Sequence, residues 1–170
     1  MGKPIPWRFG MNTSGFQRAG SISGDSPEDT AALREMAATA QKYLLSFHWC
    51  PTIKQIFLAY GVGHVVAVFL VQFAEKIDGK DEFLWVINGD IPFAYLVIDH
   101  APSPSDALRI YCNLMEEWVD AVIGGKDLAD VFAIDAKPTK RNAQSLRRRI
   151  QFLREKIIPI AKSQYHQAPP

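Results

Sequence analysis

The sequence predicts an α+β domain, a four-stranded antiparallel β-meander packed with one N-terminal and two C-terminal helices. Three observations carry this expectation. Between Ile53 and Ile98 the apolar residues are largely β-branched or aromatic and fall into four runs separated by Gly, Asn and Asp. On either side of that block, apolar residues recur every three or four positions behind Ser or Thr caps. The 170 residues, 48% hydrophobic and 22% charged, are too apolar for a disordered chain and sufficient for one core.

Residues 1–25 hold five glycines and two prolines without periodicity and are expected to form a flexible arm, with Trp7, Phe9 and Phe16 as its large side chains. Order is expected from Ser26, in a single domain over 26–162. Ser26-Pro27-Glu28-Asp29 combines a capping hydroxyl, a proline at the first helical position and a carboxylate that can bond back to the cap. Leu33, Met36, Ala37, Ala40, Leu44 and Phe47 then make one apolar stripe, closed by Pro51.

Strands are expected over Ile53 to Tyr60 and Val65 to Phe73, linked through Gly61 and Gly63, with Asp78-Gly79-Lys80-Asp81 as the next turn. Phe83 to Ile87 and Phe93 to Ile98 read as a hairpin around Asn88-Gly89-Asp90-Ile91-Pro92, because Asn and Gly accept positive φ. Along Val65 to Phe73 both faces are apolar, whereas a one-sided antiparallel sheet shows polar residues to solvent. A helix, a second copy of the chain or a partner must therefore cover the second face.

After His100, Ser103 or Ser105 is expected to cap a helix whose buried stripe is Ala107, Ile110, Tyr111, Leu114, Trp118, Ala121 and Val122, stopped by Gly124-Gly125. A last helix is expected from Thr139 to about Ile158, with Ala143, Leu146, Ile150, Leu153 and Ile157 inward, and Pro159 bending or ending it. Residues 163–170 are expected to fray.

The net charge of +1 conceals a division. From Lys137 to Lys162 nine basic residues face a single acid, Glu155, while residues 105–130 carry six acids against Arg109 and Lys126. The acidic face, with Glu116, Glu117 and Asp120, suits a basic partner that it would steer into encounter. Arg147, Arg148 and Arg149 suit phosphates, although no aromatic residue alternates with them as a stacking platform would require. A third reading is that the two helices are neighbours and satisfy one another.

Asp90, Tyr95, Asp99 and His100 form a candidate ligand cluster containing an acid and a base. Asp90 and Asp99 fall at opposite ends of one strand, which separates them along it. The four histidines lack the paired spacing of a zinc site, and Cys50 and Cys112 read as two reduced thiols, so neither a metal nor a cofactor is expected. No nucleophile elbow, P-loop or dinucleotide fingerprint occurs, and Gly61-Val62-Gly63-His64 lacks the third glycine, which inclines the reading away from an enzyme. The longest apolar run, Val62 to Ala74, is too short to span a bilayer, so a cytoplasmic protein without membrane contact is expected. The leading functional expectation is a non-enzymatic protein-interaction module that binds another protein or self-associates. The alternatives are a nucleic-acid-binding protein using the basic last helix, and a small-molecule-binding protein or an enzyme.

Overall fold

The computed structural model describes residues 11–167, so Trp7 and Phe9 lie outside the described residues. Its elements are β1 (Gln17–Arg18), α1 (Pro27–Leu45), β2 (Ile53–Val62), β3 (Val66–Ile77), β4 (Asp81–Gly89), β5 (Ala94–Val97), α2 (Pro104–Ile123) and α3 (Lys140–Phe152). A π-helical turn, Leu153–Ile157, carries α3 without a break into α4 (Ile158–Gln167). The fold is α+β, and the antiparallel sheet runs in the order β1-β2-β3-β4-β5.

Among the described residues the expected four strands become five. Gln17 and Arg18 pair with Leu58 and Phe57 on the outer side of β2. This strand leaves no apolar pattern because both residues are exposed and only their backbone is used. Ile22, a few residues on, is fully buried. Part of the segment expected to be a flexible arm thus belongs to the sheet and core.

The doubly apolar sheet is covered by the chain's own helices on both faces. Ala67, Phe69, Val71 and Phe73 of β3 pack with Leu33, Met36, Ala37, Ala40 and Leu44 of α1. Val66, Val68 and Leu70, on the opposite pleat, pack with α2 and α3 through Leu108, Tyr111, Met115, Leu146 and Ile150. Trp85 lies wholly inside the second core and donates its indole N–H to the carbonyl of Ala101 at 2.7 Å. At about 1.5–3 kcal/mol per large side chain removed from water, either layer left bare would be strongly destabilising.

The Ser26 hydroxyl accepts the Asp29 N–H at 3.0 Å, as a cap should. The Asp29 carboxylate, however, does not return to Ser26. It accepts the Asp25 N–H at 2.9 Å and the Gly63 N–H at 2.7 Å, tying α1 to the β2–β3 turn. The buried stripe of α2 is rotated from the expected one, since Leu108, Cys112, Met115 and Val119 are fully buried while Ile110, Leu114 and Val122 are half-buried. Lying between the sheet and α3, α2 needs a broader apolar face than a surface helix.

Pro159 neither ends nor breaks the last helix. It has no N–H to donate, and the preceding π turn, in which Ile158 N–H reaches back to the Leu153 carbonyl, widens the helix where the ring would otherwise clash. Among the described residues no helix is long and apolar enough to cross a membrane.

Candidate functional site

The β2–β3 and β4–β5 turns lie at one end of the sheet, because Val66 at the start of β3 pairs with Gly89 at the end of β4. Asn88 and Gly89, expected to form the hairpin turn, are the last two residues of β4, and the turn itself spans residues 90–93. The reason is non-local. Gly89 has φ +140° and sits so close to the β2–β3 turn that a Cβ there would lie 2.3 Å from the Val65 carbonyl oxygen. That same carbonyl accepts the Asp90 N–H at 3.1 Å.

The turn is held from two more sides. The Tyr111 hydroxyl of α2 donates to the Pro92 carbonyl at 2.7 Å. Arg149 of α3 donates through Nε to Asp90 Oδ2 at 3.1 Å and through Nη2 to Oδ1 at 3.5 Å. Arg149 Nη1 also donates to the hydroxyl and carbonyl of Ser145 one turn earlier, which fixes the guanidinium against its own helix. Asp90 therefore pairs with a cation 59 residues away rather than with its own backbone.

Three clefts meet at Asp90. The largest, about 690 Å³, opens between the turn, the start of α3 and residues 133–136, with Tyr43, Phe47, Phe93 and Trp118 in its walls. A second, about 320 Å³, lies between His64 and Val65 on one side and Arg148, Phe152 and Leu153 on the other. The third, about 330 Å³, separates Glu35 and Thr39 of α1 from Asn88 and Phe93.

Beside the largest cleft, five aromatic rings gather between the end of α1 and β5. Tyr43 stacks on Phe93 with ring centres 4.9 Å apart, Phe47 stacks on Trp49 at 5.3 Å, and Tyr95 approaches Phe47 and Trp49 at 5.3 and 5.1 Å. Burial, and then the neighbouring Tyr95, push the Tyr43 phenol up to about 12. Phe93, within this cluster, and Val97, at the end of β5, remain 38% and 44% exposed beside the sheet's edge.

Of the four residues in the candidate ligand cluster, the structure separates two. Asp90 lies at the cleft end and Tyr95 in the aromatic cluster, whereas Asp99 and His100 follow β5 at the other end of the sheet. There burial, and then Asp99, hold the Asp81 carboxyl above its ordinary value.

The acidic and basic helices are neighbours. Arg147 Nη2 lies 2.6 Å from Asp120 Oδ1 and its Nε 4.0 Å from Glu116 Oε1, while Arg154 holds Glu116 and, at 3.0 Å, Asn113 Oδ1. Glu117 and Arg148 are exposed and have no ion pair among the described residues. Cys112 is buried under this network, and burial pushes its thiol up to about 11. Among the described residues no group of three or more His, Cys, Asp or Glu side chains is placed to hold a metal ion.

The sequence reading places Asn88 in the hairpin turn and does not single out Glu35 or Thr39. A signal for Asn88 was present: it shares the α1-facing pleat of β4 with Leu84 and Val86, where a polar side chain must be buried. No family model matches the chain, and neither does any curated protein or solved structure.

Proposed function

We propose that the protein is a non-enzymatic binding module that takes an extended segment of a partner protein along the outer edge of β5. The observation that carries this reading is the aromatic cluster, with Phe93 and Val97 exposed, beside a strand that terminates the sheet among the described residues. An edge strand offers unpaired N–H and C=O groups to an added strand, and neighbouring side-chain recesses supply specificity. The 690 Å³ cleft continues that edge past Phe93 and supplies such a recess.

The two charged helices support interaction less well. Glu116 and Asp120 already hold Arg147 and Arg154, which leaves Glu117 as the one of the three without an ion pair among the described residues. On the basic side Arg148 has no ion pair among the described residues, whereas Arg147 and Arg149 are committed. The nucleic-acid alternative predicts salt-sensitive retention on heparin, reduced by Arg148→Ala.

The test is selection from a displayed library of random ten-residue peptides, with light scattering of the protein alone. Wild type is expected to enrich peptides of alternating apolar residues, and Phe93→Ala/Val97→Asp, folded by circular dichroism, to bind them at least about tenfold more weakly. Absence of enrichment, or binders indifferent to the double substitution, would overturn the reading. A dimer abolished by the same substitutions would assign the edge to a second copy of the chain instead.

A further inference from the structure

Glu35, Thr39, Tyr43 and Phe47 are spaced four apart, so they line one ridge of α1 and the turn that ends it. Across from this ridge stand Asn88 and Phe93, so the third cleft and the aromatic cluster form one groove of graded chemistry. Toward Phe47 the groove is aromatic. Toward Glu35 it is polar, lined by Glu35, Thr39, His64, Asn88 and Asp90. Asp90 is held by Arg149, and the Thr39 hydroxyl donates to the Met36 carbonyl and accepts from Asn88, so Glu35 and Asn88 are the acceptors without a partner among the described residues.

Asn88 decides what that end is for. The residue is 1% exposed, and its Nδ2 donates to the Met36 carbonyl at 2.8 Å and to Thr39 Oγ1 at 3.1 Å. The Met36 carbonyl can only accept, so the amide orientation is fixed and Oδ1 is the free end. Oδ1 has no donor among the described residues. A buried acceptor left so costs about 1–3 kcal/mol, and a group arriving through the cleft with a donor recovers it.

The arriving group must also suit Glu35, whose carboxylate has no cation partner among the described residues. An anion could meet only the His64 ring N–H as a donor, and it would bring acceptors to the Glu35 carboxylate and Asn88 Oδ1. An ammonium or guanidinium is all donor, carries the complementary charge, and meets the Phe93 ring at the lip of the cleft, where a cation over an aromatic face gains further. We infer that the cleft between Glu35 and Asn88 receives a Lys or Arg side chain of the partner segment docked on β5. This assignment rests on the β5 reading above and names the partner's anchor. About 330 Å³ accommodates one long side chain, and the cleft opens at Phe93 onto the β5 groove that would deliver it.

Two measurements test it. In the first, isotope-labelled protein is titrated with Nα-acetyl-lysine methylamide and, as the neutral near-isostere, Nα-acetyl-norleucine methylamide, following the Asn88 side-chain amide by NMR. The lysine compound is expected to shift that resonance pair and the norleucine compound to leave it in place, with Glu35→Gln weakening the lysine response about three- to tenfold. No response to the lysine compound, or equal responses to both, would overturn the inference. In the second, the peptides selected on wild type are expected to share one basic position, a preference that Glu35→Lys abolishes while apolar selection persists. Selection with no fixed basic position would overturn the anchor and leave the β5 reading standing. Selection of no peptide, with the lysine compound still shifting Asn88, would overturn the partner segment and assign the cleft to a free amine.

Discussion

At Gly89 a φ of +140° and the nearness of the Val65 carbonyl act together, so that a single methyl group has no place there. Gly89→Ala is expected to destabilise the fold by about 1–3 kcal/mol from backbone strain, and further through displacement of the Asp90 N–H from Val65, measured as a lowered urea midpoint. A second residue-scale outcome concerns alkaline pH. The Tyr43 phenol is held at about 12 against an ordinary 10.0, the Cys112 thiol at about 11 against 9.0, and burial raises Tyr111 as well. In each case the folded chain keeps its proton after the unfolded chain has released it, so unfolding is increasingly favoured as pH rises. Stability is expected to hold up to about pH 9 and to fall between pH 9 and 12, with Tyr43→Phe flattening the upper part of the decline. A urea midpoint rising through that window would contradict the burial of these groups. At this scale the sequence identified Asp90 as a turn residue because turn chemistry is local. Its partner Arg149 and the Val65 carbonyl come from other elements, and no spacing rule connects them.

Among the elements, the α2–α3 contact joins an apolar seam to a row of opposite charges at its rim. Glu116 sits between Arg147 and Arg154, all three partly open to water. A double-mutant cycle on Glu116 and Arg154 is expected to return a coupling below about 1 kcal/mol that shrinks as salt is added. A coupling of several kcal/mol would place the pair in a far drier setting. The five inward residues of the last helix, from Ala143 to Ile157, were legible in sequence because helical periodicity records burial directly. The passage of that helix through Pro159 was not, since it depends on a π turn set one turn earlier. β1 was hidden for a related reason. Two exposed residues held by backbone pairing carry no side-chain pattern to read.

For the whole molecule, the apolar residues on both pleats of β3 required a cover on the second face and left open whether a helix, a second copy or a partner supplies it; the structure supplies it from the chain itself, α1 on one side and α2 with α3 on the other. The groove between α1 and β5 is different in kind. It is assembled from the ridge of one element and the edge of another, so neither segment announces it alone. Only Asn88, polar on a buried pleat, marked its position in the sequence. The order of the layers also has a consequence for synthesis. Because the strands join in chain order, α1 and all five strands have been made once residue 97 is reached, yet Val66, Val68, Leu70 and Trp85 face helices that are still to come. At a translation rate of ~5–20 residues per second, the next 60 residues, through Ile157, take about 3–12 seconds to appear. For that interval the nascent protein carries an open apolar sheet face, which makes it a client for any chaperone waiting at the ribosome exit.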